Sequence, residues 1–144
     1  MHRWINWILA TVIMVAVTIL ALTALPFFSD QHLEGTRLKN HMLASGVLVV
    51  ALPLMAILGL PGVINTGASV GIQRFGFWLL IAAGLVTIAT MFLCMLPIPS
   101  TDQMHQLIEI HGYAGFATVP AVLLLIAGMV RSRHIQATRS STPG

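Results

Sequence analysis

Two histidines stand out in the sequence because each lies in an otherwise apolar stretch. His41 opens the run His-Met-Leu-Ala-Ser-Gly, and His111 opens the run His-Gly-Tyr-Ala-Gly-Phe. Four residues after each histidine comes a small residue, Ser45 or Gly115. Residues i and i+4 lie on one face of a helix, so a small side chain there leaves space beside the imidazole. The pattern therefore predicts two imidazole ligands, each with room beside it for something flat and wide.

The spacing of charged residues identifies the elements that carry these histidines. Only 8% of the 144 residues are charged and the mean hydropathy is +0.91, whereas soluble domains carry about 25% charged residues. Four uncharged stretches of 26, 34, 27 and 21 residues separate the groups of charges. A membrane-spanning helix needs about 20 apolar residues, so each stretch fits one helix and none fits two. We predict an all-α integral membrane protein whose four transmembrane helices form an up-down bundle, near residues 5–27, 38–59, 75–97 and 103–130, with a polar tail at 132–144.

Helix breakers and caps predict where these spans begin and end. Leu60-Pro61-Gly62 is expected to end the second span, followed by a loop from residue 63 to 71. Pro97 is expected to end the third span. Ser100, with Gln103 three residues later, has the pattern of a capping box that opens the fourth span. The first span is longer than the apolar core of a signal peptide and precedes a poor cleavage site, so we expect it to persist as a helix.

The arginines and lysines predict the orientation of the chain in the membrane. With the N-terminus in the cytoplasm, five arginines fall inside and only Arg37 and Lys39 fall outside, as the positive-inside rule requires. Both termini are then cytoplasmic. His41 lies a few residues from the outer end of its span, and His111 lies about one turn further into its own. The two imidazoles are therefore expected at one depth, beneath the outer face.

His41 and His111 are consequently a candidate pair of axial ligands. Polar side chains inside membrane spans are costly and mark functional sites, and helical bundles bind cofactors between side chains of facing helices. Two histidines at one depth, each with a small neighbour, suit a porphyrin held between two imidazoles. Simpler roles stay open for these residues. Small residues are common at any membrane helix contact, and a histidine near a helix end can simply hydrogen-bond a neighbour or meet lipid headgroups.

Two segments carry a resemblance to a known family. The run 18–50, in which a polar loop leads to Lys39-Asn40-His41, resembles the small membrane-bound b-type cytochromes, among them the haem-carrying anchors of bacterial dehydrogenases and the ferric-reductase-like bundles. The segment 108–115 is similar to their second ligand helix. The resemblance implies that His41 and His111 ligate one b-type haem in a bacterial inner membrane, and that electrons pass to or from a quinone or a partner redox subunit. Many such cytochromes carry four membrane histidines and two haems, whereas the inner halves of these spans lack histidine.

Further polar residues lie near the outer face. His105 and Glu109 share a face of the fourth span, and the loop residues Asp30 and His32 are near the same surface. This group predicts either a divalent metal site, a proton relay to a quinone, or simply a solvated rim with one His–Glu pair. Glu109 and His111 point about 200° apart around the helix, so one metal held by both is not expected. Cys94 and Met95, at the same level, offer soft copper ligands or ordinary packing residues.

Other classes of function are either excluded or kept as rivals. The single cysteine excludes an internal disulfide and any CxxC motif, and a net charge of only +3 on so apolar a chain does not indicate nucleic-acid binding. No nucleophile–base pair or phosphate-binding loop is visible, so we predict no catalytic residue, and any part in catalysis is that of the cytochrome subunit of an oxidoreductase complex. The rival is a non-catalytic structural subunit of a larger membrane complex, which binds a chlorophyll-type pigment, a metal or nothing.

Overall fold

The computed structural model describes residues 2–25, 34–64 and 71–140, and within these it describes every side chain except those of residues 2, 3, 136, 137, 139 and 140. Four helices account for nearly all of this chain: α1 His2–Ala24, α2 Gly35–Ile64, α3 Gly71–Met95 and α4 Thr101–Ser140. The described residues form no strand. The predicted all-α fold with four helices is therefore confirmed.

All four helices are long and apolar enough to cross a membrane. Within a bilayer a helix satisfies its own backbone hydrogen bonds, which is why long apolar runs adopt this structure. Large apolar side chains cover the outside of the bundle; Ile57 is 69% exposed and Leu43 is 71% exposed. In water so much exposed apolar surface would drive aggregation, whereas in lipid it is the favoured surface. The fold is that of a multi-pass membrane protein.

The observed helix ends agree only in part with the predicted ones. The capping box is confirmed, because the Ser100 amide donates to Oε1 of Gln103 at 2.9 Å and the Gln103 amide donates to Oγ of Ser100 at 3.3 Å. Helix α3 ends at Met95, just before Pro97. The predicted end at Leu60-Pro61-Gly62 is wrong, since α2 runs on through Pro61 to Ile64. A proline so close to a helix end removes a single backbone hydrogen bond, and the remaining turn survives that loss.

Two other boundaries lie elsewhere than predicted. Residues 63, 64 and 71 of the loop expected at 63–71 are helical, and residues 65–70 lie outside the described part of the chain. The polar tail expected from residue 132 continues α4 as helix to Ser140. Polar residues such as arginine and glutamine are good helix formers, so α4 keeps its conformation after its apolar stretch ends.

The helices pack as neighbours around a ring. Helix α1 packs against α2 and α4, and α3 packs against α4 and α2. The closest approach joins α3 and α4, where a Cβ added to Gly76 would lie 2.5 Å from the backbone nitrogen of Leu125. Gly128 meets the backbone of Gln73 in the same way. These contacts pair early α3 with late α4, so the two helices run antiparallel.

We use the term histidine end for the end of the bundle at which α1 and α3 finish and α2 and α4 begin. The buried core lies away from it, around residues such as Ile13, Leu52, Phe77, Leu80 and Leu125. In α2 the first buried residue is Ala44, and in α4 it is Thr118. Nothing after Thr90 is buried in α3. The histidine end is therefore the loosely packed end of the described bundle.

Candidate functional site

His41 is held by the helix that precedes it in the chain. It is half-buried on α2, and its Nδ1 lies 2.9 Å from Oγ1 of Thr23 on α1. The Thr23 hydroxyl also donates to the backbone oxygens of Ile19 and Leu20, at 2.8 and 3.0 Å. Because its one proton is used by these carbonyls, the hydroxyl acts as an acceptor toward His41. We therefore assign the imidazole proton of His41 to Nδ1.

His111 is held by α3 in a comparable way. It is half-buried on α4, and its Nδ1 lies 3.0 Å from the backbone oxygen of Thr87. A carbonyl oxygen only accepts hydrogen bonds, so Nδ1 of His111 carries the proton. Oγ1 of Thr90 lies 3.2 Å from the same Nδ1 and itself donates to the backbone oxygen of Val86 at 2.8 Å. His111 thus has two partners on α3.

The same atom is anchored in both histidines, and this leaves the other nitrogen free to bind. In a neutral imidazole with Nδ1 protonated, Nε2 carries an exposed lone pair. Histidines that ligate metals generally hold their second nitrogen in this manner, and the hydrogen bond fixes both the tautomer and the ring orientation. The arrangement gives His41 and His111 one available donor atom each.

The two imidazoles lie toward the same end of the bundle, beside the C-terminal parts of α1 and α3. His41 is on α2, which packs against α1 and α3, while His111 is on α4, which packs against α3 and α1. Helices α2 and α4 therefore lie diagonally opposite in the ring, and each carries one of the two histidines. His41 is tied to α1 and His111 to α3.

The small residues four positions on from the histidines differ from the packing glycines. A Cβ added to Gly115 would meet no atom within 4 Å, whereas one added to Gly76 would strike the backbone of α4. Helix packing therefore does not account for Gly115. Ser45 is half-buried, and its hydroxyl donates at 2.8 Å to the backbone oxygen of Met42 on its own helix. Neither residue fills the space beside its histidine.

The predicted rim group is described only in part. His105 and Glu109 are exposed on α4, while Asp30 and His32 lie outside the described residues. Among the residues that are described, no group of three or more histidine, cysteine, aspartate or glutamate side chains is placed to hold a metal ion. Cys94 is half-buried and Met95 is 64% exposed at the end of α3.

The opposite end of the bundle is closed by polar contacts. The Ser132 hydroxyl donates to Oε1 of Gln73 at 2.8 Å, which joins α4 to α3. The guanidinium carbon of Arg133 lies 4.3 Å from the ring centre of Trp7, and this cation–π contact joins α4 to α1. These contacts hold the helices at the end remote from the histidines. Helix α4, which carries His111, is thus joined to both α3 and α1 at the end opposite the histidine end.

Thr23, Thr87 and Thr90 are the residues that sequence reasoning missed. The helices α1 and α3 supply the partners of both histidines through these three threonines. The available signal was weak, because a threonine in a membrane helix usually bonds to its own backbone. Thr18, for example, donates to the oxygen of Met14 at 2.8 Å.

Comparisons with protein-family models, with curated proteins and with solved structures found no match to this chain. Its function is therefore inferred from the geometry of the site alone.

Proposed function

We propose that this protein is a membrane electron-transfer subunit that binds one b-type haem between Nε2 of His41 and Nε2 of His111. The observation that carries the proposal is the paired anchoring of the Nδ1 atoms, by Thr23 on α1 and by Thr87 and Thr90 on α3. Such anchoring leaves one lone pair on the Nε2 atom of each ring. The open space at Gly115 supports a flat ligand beside His111.

The number of donors favours haem over a bare metal ion. Zinc and copper sites take three or four ligands from the protein, and the described residues do not group three such side chains. A porphyrin supplies four nitrogen donors of its own, so its iron would require only two further ligands from the chain. His41 and His111 match that requirement. When bound, haem supplies reversible one-electron chemistry.

The residues of this chain would bind and insulate the group rather than react. His41 and His111 would both bind the iron, so the group would supply electron transfer rather than bind oxygen or a substrate. Thr23, Thr87 and Thr90 hold the imidazole protons on Nδ1 and keep both rings oriented. The buried core below the site excludes water from that side. A quinone or a partner redox subunit would meet the bundle at the histidine end and exchange electrons with the bound group.

We further propose that the four helices cross the bacterial inner membrane as an up-down bundle, with both termini in the cytoplasm. The distribution of positive charge supports this orientation. Five arginines lie on the side of the membrane that holds the two termini, and two basic residues, Arg37 and Lys39, lie on the opposite side. The histidine end then faces the periplasm. A redox partner of the complex would approach from there or within the outer leaflet.

The test is the absorption spectrum of protein purified in detergent from cells supplied with haem precursor. We expect one haem per chain and, after reduction with dithionite, the sharp α and Soret bands of a low-spin b-type haem. A folded, colourless preparation from haem-replete cells would contradict the proposal and favour a structural subunit. Bands of a chlorophyll-type pigment in its place would contradict it equally.

A further inference from the structure

The two candidate ligands are held unequally. His111 has two partners on α3, the backbone oxygen of Thr87 at 3.0 Å and the hydroxyl of Thr90 at 3.2 Å. His41 has one partner on α1, the hydroxyl of Thr23 at 2.9 Å. The backbone oxygen of Thr87 is fixed by its helix, whereas the Thr23 hydroxyl is held through its own hydrogen bonds to Ile19 and Leu20. The orientation of His41 therefore depends on one side-chain hydroxyl.

The helices that carry these contacts are also packed unequally. Between α3 and α4 the glycines Gly76 and Gly128 bring the backbones together. Between α1 and α2 an apolar groove of about 550 Å³ opens on the surface, lined by residues that include Leu43, Gly46 and Val47. These three residues lie within the two turns that follow His41. The helix that presents His41 is therefore packed less tightly against its neighbour than the helix that presents His111.

From this asymmetry, we propose that Thr23 is the positioning residue of His41, and that His41 is the ligand released first when the site is weakened. The inference rests on the proposed haem site. Loss of the Thr23 hydroxyl would let the His41 proton move to Nε2 or let the ring turn. Either change removes the Nε2 lone pair from the site while His111 stays in place.

A first experiment needs no haem. Protein labelled with ¹⁵N in its histidines is studied by NMR in detergent micelles at about pH 8, where histidine is neutral. In the wild type we expect Nδ1–H tautomers for both His41 and His111. Thr23→Val should shift His41 to a mixture of tautomers and leave His111 unchanged, while Thr23→Ser should restore the wild-type signals. An unchanged His41 tautomer in Thr23→Val would overturn the role of Thr23.

The matched control is Thr18→Val. Thr18 lies on the same helix as Thr23, and its hydroxyl donates to the backbone oxygen of Met14 within that helix. The change in shape and polarity equals that of Thr23→Val, but no histidine is involved. We expect both imidazole signals to stay at their wild-type positions. A shift of His41 in Thr18→Val as large as in Thr23→Val would show a general effect of altering α1, and would contradict a specific role of Thr23.

A second experiment uses the haem-loaded protein and carbon monoxide as a probe. The reduced wild type, with both axial positions filled, should show no Soret shift on addition of CO. The shift should appear in Thr23→Val and be lost again in Thr23→Ser. Thr90→Val should give a smaller fraction of CO-bound protein, because the Thr87 oxygen still holds His111. An equal or greater fraction in Thr90→Val would overturn the order of release.

The two experiments distinguish failure of the haem site from failure of the positioning role. If no variant and no wild-type preparation binds haem, the proposed function fails, yet the tautomer measurement still decides whether Thr23 positions His41. If haem binds but Thr23→Val behaves as the wild type in both measurements, the haem site stands and the positioning role is wrong.

Discussion

The Nδ1 atom of His111 lies 3.0 Å from the backbone oxygen of Thr87, a residue 24 positions earlier on the neighbouring helix. The contact ties α4 to α3 at the histidine end, where the Thr23 hydroxyl ties α1 to α2 through His41. Both hairpins of the bundle thus use a histidine as the link between their helices. The link occupies Nδ1 of each ring and keeps the proton there. Nε2 can therefore act as a ligand without any movement of that proton.

Replacement of either histidine should abolish haem binding. We expect His41→Ala and His111→Ala each to lower haem content from one per chain to nearly none, because a single imidazole cannot supply both axial bonds of a low-spin site. Pyridine haemochrome assays on purified protein measure the content. His105→Ala is the control, since His105 is exposed on the same helix as His111. Full haem content in His41→Ala or His111→Ala would rule out that residue as a ligand.

The sequence predicts the helices well because their determinants are local. Apolar length and charge spacing define four spans, and Ser100 with Gln103 marks a helix start from a separation of only three residues. Pro61 misleads because its effect depends on position: near the end of α2 it costs one hydrogen bond and the helix continues. A helix-breaking residue of this kind does not determine how many residues the helix continues before it ends.

The site is less predictable because part of it is set by tertiary register. His41 and His111 are visible as polar residues in apolar spans. Thr23 cannot be singled out in the same way. Thr18 on the same helix is also a threonine, and its hydroxyl makes the same kind of hydrogen bond to the backbone of the preceding turn. Only the packing of α1 against α2 places Thr23, and not Thr18, within 2.9 Å of an imidazole. Such a contact between residues 18 positions apart follows from packing, which no single sequence pattern encodes.

Two glycines should respond oppositely to the same substitution. Gly76→Ala is expected to destabilise the fold by about 1–3 kcal/mol, because the new Cβ meets the backbone of α4. Gly115→Ala should leave stability unchanged or raise it by about 0.5–1 kcal/mol, because its Cβ enters open space and alanine favours helix. Unfolding of haem-free protein in mixed micelles measures both. Comparable destabilisation by Gly115→Ala would show that Gly115 serves helix packing after all.

The orientation of the bundle is open to labelling of single cysteines. In a Cys94→Ala background, Asp102→Cys at the histidine end should react with a membrane-impermeant maleimide added to spheroplasts. Thr138→Cys, at an exposed position near the end of α4, should react only after the membrane is permeabilised. The expectation follows from the excess of arginine on the side of the membrane that holds the two termini. The reverse pattern of labelling would place the histidine end in the cytoplasm.

Gly115→Leu should lose haem nearly as completely as His111→Ala while the protein still inserts and folds. Gly115 lies one turn below His111 on the same helix face, and the space beside it is open. A leucine there fills the space that a ring perpendicular to the imidazole axis would need. Insertion should survive because leucine is favourable in a membrane helix. Haem content and the detergent-solubilised yield of the variant, measured side by side, give the result.

The control for this last substitution is Ala114→Leu, which adds a bulky side chain to the neighbouring position. Position 114 lies about 60° from His111 around the helix and about 100° from position 115, so its side chain lies on the other side of the histidine from Gly115. We expect Ala114→Leu to retain most of its haem. Equal loss in both variants would point to general overpacking of α4, which commonly costs about 1–3 kcal/mol. Unchanged haem content and spectrum in Gly115→Leu would mean that the space beside His111 is not where a flat ligand lies, because four added heavy atoms and a porphyrin edge cannot share it.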